Sequence, residues 1–312
     1  MTTGSLIVIG VLQAILIAAA APLYSGFARV LRAKMHSRRG PSILQNYLDL
    51  IKLMKRQEIV PAQGNFVFRI TPYLTVVAVL LVAMIIPILA TQSPFGWVGD
   101  MILVIYLLAM IRFFTALSGL TSGSTFGGFG ARREWFISAL IEPLILLVLF
   151  VMALLAGSTN LGVISTGVET GTIPYYATVW LGMISFAFVV FVEAGKLPFD
   201  LSEAEQELQE GALTEYSGHS LSLMMWGSYM KQLAIVSLFL AVFFPFGSMT
   251  TLSISAGLLA LLVFLVKAGL LYVAAALLEN SMARLRFIKA PSVTWIAVGT
   301  GLLCFAFYLV RI

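Results

Sequence analysis

The stretch from Lys196 to Gly218, KLPFDLSEAEQELQEGALTEYSG, carries six carboxylates (Asp200, Glu203, Glu205, Glu207, Glu210 and Glu215) against one lysine. The whole chain of 312 residues has only 14 acids and is 60% hydrophobic. Carboxylates that are crowded and partly buried raise one another's pKa toward the range where protons exchange. A solvated acidic helix is the plainer reading of such a run. Two features favour the chemical one. The segment holds apolar anchors (Leu197, Phe199, Leu201, Leu208 and Leu213), so it should pack, and it follows directly on Glu193 at the end of an apolar run. Pro198 breaks the chain, and SEAE then reads as a capping box with Ser202 as N-cap and Glu205 three residues on. This predicts a helix of about two turns ending at Gly211, with Glu203, Glu207 and Glu210 on one face.

Further ionisable residues interrupt apolar sequence: Arg112, Glu142, Glu193, Lys231, Lys267 and Glu279. Unpaired charge in hydrocarbon is costly, so these groups should face the bundle interior, pair, or line water. One reading is structural salt bridging between spans. The other is a chain of proton sites. The single cysteine, Cys304, lies in the last apolar run and cannot supply the four thiolates of an iron–sulfur cluster. The two histidines, His36 and His219, fall in segments flanked by polar residues. The chain therefore carries no evident redox centre.

These residues must be positioned by membrane-spanning helices. Mean hydropathy is +1.00, and apolar runs of eighteen residues or more recur, each long enough to cross a hydrocarbon core of about 30 Å. The runs are continuous, which excludes the alternating strands of a barrel. The sequence predicts an all-α polytopic membrane protein, one integral domain over 1–312, with eight spans near 5–28, 72–90, 100–119, 135–156, 174–194, 229–246, 253–278 and 292–311. The first run has no basic residue before Arg29 and reads as a retained span, not a signal peptide. Basic residues concentrate in alternate connections: nine in 29–71, then Arg132 and Arg133, Lys196, and finally Arg284, Arg286 and Lys289. The positive-inside rule places these connections (about 29–71, 120–134, 195–228 and 279–291) in the cytoplasm and both termini outside.

Two of the connections have character of their own. In ILQNYLDLIKLMKRQE, from Ile43, the residues Ile43, Leu44, Tyr47, Leu48, Ile51 and Met54 fall on one helical face, away from Asp49, Lys52, Lys55 and Arg56. This predicts an amphipathic helix at the membrane surface, serving as a lipid anchor or as part of a docking surface. SGSTFGGFGARRE (122–134) lacks the Gly-Lys-Ser/Thr ending of a phosphate loop and reads as a flexible turn that can approach a partner closely.

The pattern running from Glu193 through KLPFDL and EAEQEL to EYSG at Gly218 resembles the signature loop of the membrane subunit shared by respiratory complex I and the membrane-bound nickel–iron hydrogenases. In complex I this is subunit 1, beside the quinone chamber. RRGPSILQNYLDLIKLMKRQE (38–58) and GARREWFISALIE (130–142) resemble two further stretches of that family, and the resemblance covers most of the chain. ELQEGALTEYSG and LLENSMARLRF (277–287) are most similar to the hydrogenase-4 and formate hydrogenlyase branch. Two departures from the respiratory pattern weigh against a quinone site: a contracted first loop, and Lys196 where complex I usually has arginine.

The resemblance implies a subunit, without a cofactor of its own, that docks a redox arm and links electron transfer to proton or sodium movement. It implies a bacterial or archaeal cytoplasmic membrane, with the arm on the cytoplasmic side. The expected partners are nickel–iron large and small hydrogenase subunits, iron–sulfur proteins, an antiporter-like membrane subunit and lipid, but no nucleic acid. The implied proton pathway comprises Glu142, Glu193, Asp200, Glu203, Glu205, Glu207, Glu210, Glu215, Lys267 and Glu279. Arg38, Arg39, Asp49, Lys52, Arg132, Arg133 and Lys196 would serve docking. The alternatives are a quinone-chamber subunit of a complex I-type dehydrogenase and a purely structural anchor. A stand-alone transporter fits least, because no paired broken helices are visible.

Overall fold

Inside a bilayer the backbone of an apolar run must satisfy its own hydrogen bonds, and a helix does so within one segment. The computed structural model describes residues 3–96, 98–174, 176–200, 205–283 and 287–310. Its helices are α1 (Thr3–Met35), α2 (Gln45–Met54), α3 (Phe66–Ile85), α4 (Met101–Thr121), α5 (Thr125–Ala156), α6 (Leu161–Glu169), α7 (Ala177–Glu193), α8 (Glu205–Leu208), α9 (Gly218–Phe243), α10 (Ile254–Ser281) and α11 (Ala290–Val310). Seven of them are long and apolar enough to cross a membrane, and α7 is a shorter apolar helix of 17 residues. Each of the eight expected spans is thus a helix.

Three helix starts, those of α3, α4 and α6, are set by side chains that accept the first free N–H groups. Asn65 accepts from Phe68 N, Asp100 from Ile102 N and Asn160 from Gly162 N. At its end α5 turns off through Gly157 with φ 67°. The central element is α9, buried along most of its length and packed on α1, α2, α3 and α7. Conversely, α10 rests on α1 and α9 while α11 rests on α5 and α7, so both are peripheral. At one face of the bundle the connections meet through bridges between Ala90 and Met249 and between Asp100 and Asn160. At the other lie α2, α8 and the segment leading into α9.

Several boundaries depart from the expectation. Helix α1 continues to Met35, α5 begins at Thr125 and α9 at Gly218, so the connections are shorter than 29–71, 120–134 and 195–228. The Gly-rich stretch is not a flexible turn but the opening of α5. Its glycines permit close approach: a Cβ on Gly130 would lie 2.6 Å from Gly211 Cα. His219 belongs to the first turn of α9, not to a loop. The amphipathic segment is a helix, α2. Its Asn46 and Leu50 are buried against α1 and α9, while Leu44, Leu48, Ile51 and Met54 are left exposed as an apolar face.

The acidic segment departs most. Leu201–Ala204, including the proposed cap Ser202 and Glu203, lie outside the described residues. Among the described residues the helix that follows runs over Glu205–Leu208, and it stops short of the expected end at Gly211. Gln209, Glu210 and Gly211 are all left-handed, with φ 47°, 72° and 57°. A run of such residues cannot continue a right-handed helix, so Glu210 does not share a helical face with Glu207.

Candidate functional site

Glu193 ends α7 with its side chain only 4% exposed. A carboxylate so placed must be paired, and three helices contribute. From α4, Arg112 reaches Glu193 Oε1 with Nη2 at 2.5 Å. From α9, Lys231 Nζ stands 3.6 Å from Glu193 Oε2. From α5, Glu134 Oε1 lies 3.6 Å from Arg112 Nε, and Ser138 Oγ accepts from Arg112 Nη1 at 3.2 Å. The planar guanidinium fork serves these partners at once, which a lysine could not do. Glu142, further along α5, lies within the electrostatic reach of Arg112, Glu193 and Glu134. Two cations thus contact two carboxylates, and Glu142 adds a third carboxylate within electrostatic range.

The cluster opens toward the acidic segment. A cavity of about 80 Å³ is lined by Arg112, Glu134, Glu193, Asp200, Glu210 and Lys231. A second cavity, about 260 Å³, is lined by Arg29, Arg32, Lys196 and Gln232, and shares Asp200 and Glu210 with the first. Both carry charged side chains in their walls and are roomy enough for water, whose share of liquid volume is about 30 Å³. Asp200 and Glu210 therefore sit between the solvent-side cavity and the buried cluster.

The other sequence-predicted residues are placed as follows. Glu279 is buried and pairs with Arg32 at 2.6 Å. Glu207 pairs with Arg133 at 2.7 Å on the surface. Glu215 is half-buried, and Glu205 opens α8. Lys267 is not brought to the cluster. Its ammonium donates to the carbonyls of Phe244 (2.8 Å) and Phe246, at the opposite end of the bundle, with Glu169 of α6 nearby. Of the residues assigned to docking, Arg38, Arg39, Lys52 and Arg132 are exposed, Asp49 accepts from Gln45 Nε2 at 2.8 Å, and Lys196 lines the larger polar cavity.

Sequence reasoning expects Arg112 and Lys231, as charges within spans, to pair, face the bundle interior or line water, but names no partner for either, and it gives Glu134 no role. Glu134 is hidden because the stretch around it reads as a turn. Once α5 is seen to begin at Thr125, Glu134 and Ser138 are one turn apart on a helix.

The EYSG motif proves to be a joint. The Tyr216 ring stacks on Phe68 at 4.1 Å and its hydroxyl donates to Phe68 O at 2.9 Å. Burial pushes that phenol up to about 12. Ser217 Oγ accepts from Ile59 N at 2.8 Å and donates to Ile59 O at 3.0 Å. Gly218, with φ 54°, passes under Gln57, whose carbonyl oxygen would lie 2.6 Å from any Cβ there. Beside them His219 Nδ1 is 3.3 Å from Glu58 Oε2, and its Nε2 is 2.9 Å from the Tyr73 hydroxyl.

Comparison with known proteins places this arrangement. The profile of the family described as NADH dehydrogenase matches residues 7–309. The chain belongs to the complex I subunit 1 family. Within the family it is 46% identical over 306 residues to hydrogenase-4 component C of Escherichia coli (strain K12), covering 98% of this chain and 97% of that protein. It is also 46% identical over 294 residues to formate hydrogenlyase subunit 4 of the same organism, covering 94% and 96%. NADH-quinone oxidoreductase subunit 8 of Thermus thermophilus is 33% identical over 247 residues, with 72% and 66% covered. A chain in the structure of the membrane-bound sulfane sulfur reductase, an archaeal respiratory membrane complex, superposes with a TM-score of 0.83 at 21% identity, over 96% of this chain and 99% of that one. That likeness shows the shared fold. This member of the subunit 1 family is accordingly an integral membrane protein of a multi-subunit complex. Cys304 is the sole cysteine, and no group of three His, Cys, Asp or Glu that could hold a metal is gathered among the described residues.

Proposed function

We propose that this chain is the membrane-anchoring and energy-coupling subunit of a membrane-bound nickel–iron hydrogenase complex of the hydrogenase-4 or formate hydrogenlyase kind. The two 46% relatives support that branch. The observation that carries the coupling role is the buried cluster of Glu193, Arg112, Glu134 and Lys231, opening through Asp200 and Glu210 on water-sized polar cavities. Protons enter from the cytoplasmic side past Asp200 and Glu210, and Glu193 with Glu142 passes them into the membrane. The hydrophilic subunits, which hold the nickel–iron centre and the iron–sulfur clusters, dock on α2, the start of α5 and the acidic segment. An antiporter-like subunit lies alongside in the cytoplasmic membrane, and both termini are outside.

The test is purification through this subunit in mild detergent, with nickel and iron analysis and mass spectrometry of the accompanying proteins. Nickel and hydrogenase-type subunits are expected. Flavin- and quinone-linked dehydrogenase subunits without nickel would overturn the hydrogenase assignment. The coupling role is tested separately by Glu193→Gln: a complex with full metal content but lost proton movement is expected, and unchanged proton movement sinks it.

A further inference from the structure

Helices α10 and α11 are joined by a short connection yet splay apart, one resting on α1 and α9, the other on α5 and α7. The cleft between them is apolar, about 520 Å³, and is walled by Ala187, Phe188, Phe191, Leu278, Met282 and Val293. It continues into a second apolar cavity of about 130 Å³, with which it shares Ala187, Phe191 and Leu278. Alanines Ala274, Ala275 and Ala276 make the slot, and its inner end reaches Lys196 and Glu279. Pro198 and Phe199 of the acidic segment also border the outer part. Leu278 and Met282 at the mouth are 46% and 47% exposed.

We infer that this cleft holds one acyl chain of an anionic phospholipid, with the phosphate on the exposed Lys289 that precedes α11. Size argues against a protein helix: at about 11 Å across, a helix would fill 520 Å³ with roughly one turn. A hydrocarbon chain is thinner and can thread both cavities. Charge selects the headgroup. Lys289 is exposed four residues before Val293, and Lys196 borders the inner cavity. Cations at a membrane surface attract anionic lipid, and a long basic side chain can keep its stem on apolar surface while its head meets phosphate. The bound chain touches Phe199, next to Asp200, so lipid forms part of the packing that seats the acidic segment.

The experiment uses the assembled complex in nanodiscs of phosphatidylglycerol or phosphatidylcholine, each with a photoreactive group midway along one acyl chain. Labelled residues are mapped by peptide mass spectrometry. Labelling of Phe188, Leu278 or Met282 by phosphatidylglycerol is expected, falling roughly fivefold with phosphatidylcholine or in Lys289→Gln. Ala283→Leu, which narrows the mouth, should reduce cleft labelling while leaving that of the outward residues Leu258 and Leu262 unchanged, which controls for folding. Equal labelling by both lipids, or labelling confined to Leu258 and Leu262, overturns the inference. So does capture of a partner subunit, in place of lipid, by a photoreactive side chain introduced at Met282.

Discussion

Where α7 ends, Glu193 is held by the side chains of Arg112 and Lys231 and borders a polar cavity. At the other end of the bundle, Lys267 is held by main-chain carbonyls of Phe244 and Phe246, just past the last turn of α9. Helix C-termini leave carbonyls without partners and favour a cation there. Both solutions satisfy a charge in an apolar surrounding, but they differ in what they permit. A carboxylate among cations and other carboxylates can take up and release a proton. A peptide carbonyl cannot, so at this end the carbonyls only tie α10 to the end of α9, and the groups that could exchange a proton are the ammonium itself and Glu169. Nearby Glu169, on α6, has its carboxyl raised above the ordinary range by burial, with Lys267 opposing that shift.

The contrast can be broken or sharpened by substitution. Arg112→Met has the largest expected effect, because it leaves Glu193 and Glu134 without their main counter-charge. Removing one partner of a buried pair costs about 3–5 kcal/mol, and the subunit should assemble poorly, as read by the yield and thermal midpoint of the complex. Glu193→Gln comes next: assembly and dye-linked hydrogenase activity should persist while proton uptake into proteoliposomes falls to background. Lys267→Met should cost about 1–3 kcal/mol by leaving two carbonyls unpaired, with proton uptake per turnover unchanged. A loss of uptake in that variant would erase the contrast and restore Lys267 to the pathway.

Smaller effects belong to the joint and the surface. Tyr216→Phe removes one hydrogen bond and should cost about 1 kcal/mol. Because burial raises the Tyr216 phenol from 10.0 to about 12, its share of stability is complete below pH 10 and is lost as pH rises toward 12. The variant should therefore show a shallower alkaline loss of stability over that window. Arg133→Gln breaks a surface pair with the half-exposed Glu207 and the contact of its guanidinium with the Phe287 ring at 5.3 Å, and should change stability by about 1 kcal/mol.

The eight helices were legible because a continuous apolar run has few other fates in a bilayer. Their starts were less so. Gly127 and Gly130 read as breakers, yet both lie in the opening of α5, where the lack of a side chain lets Gly127 pack against the Gly119 carbonyl and lets Gly211 and Ala212 approach Gly130. Similarly, α9 begins at Gly218 among polar residues, where Ser217 and Gly218 are committed to the segment 57–59. The charges within spans were visible singly, but nothing in local spacing tells that Arg112 of α4 meets Glu193 of α7 and Glu134 of α5. The apolar anchors of the acidic segment foretold the burial of Phe199 and Leu208, while Glu207, Gln209 and Glu210 stay exposed. The early end of its helix did not follow, because the left-handed run at Gln209 and Glu210 uses residue types with no strong preference for it.

The grip of Ser217 on both polar groups of Ile59 has a mechanical consequence. With Tyr216 stacked on Phe68 and Gly218 wedged under Gln57, the segment after α2 is bolted to the start of α9, the helix that carries Lys231. A load applied there is carried along a stiff rod, α9, to the ammonium that faces Glu193, with no slack loop to absorb the stroke.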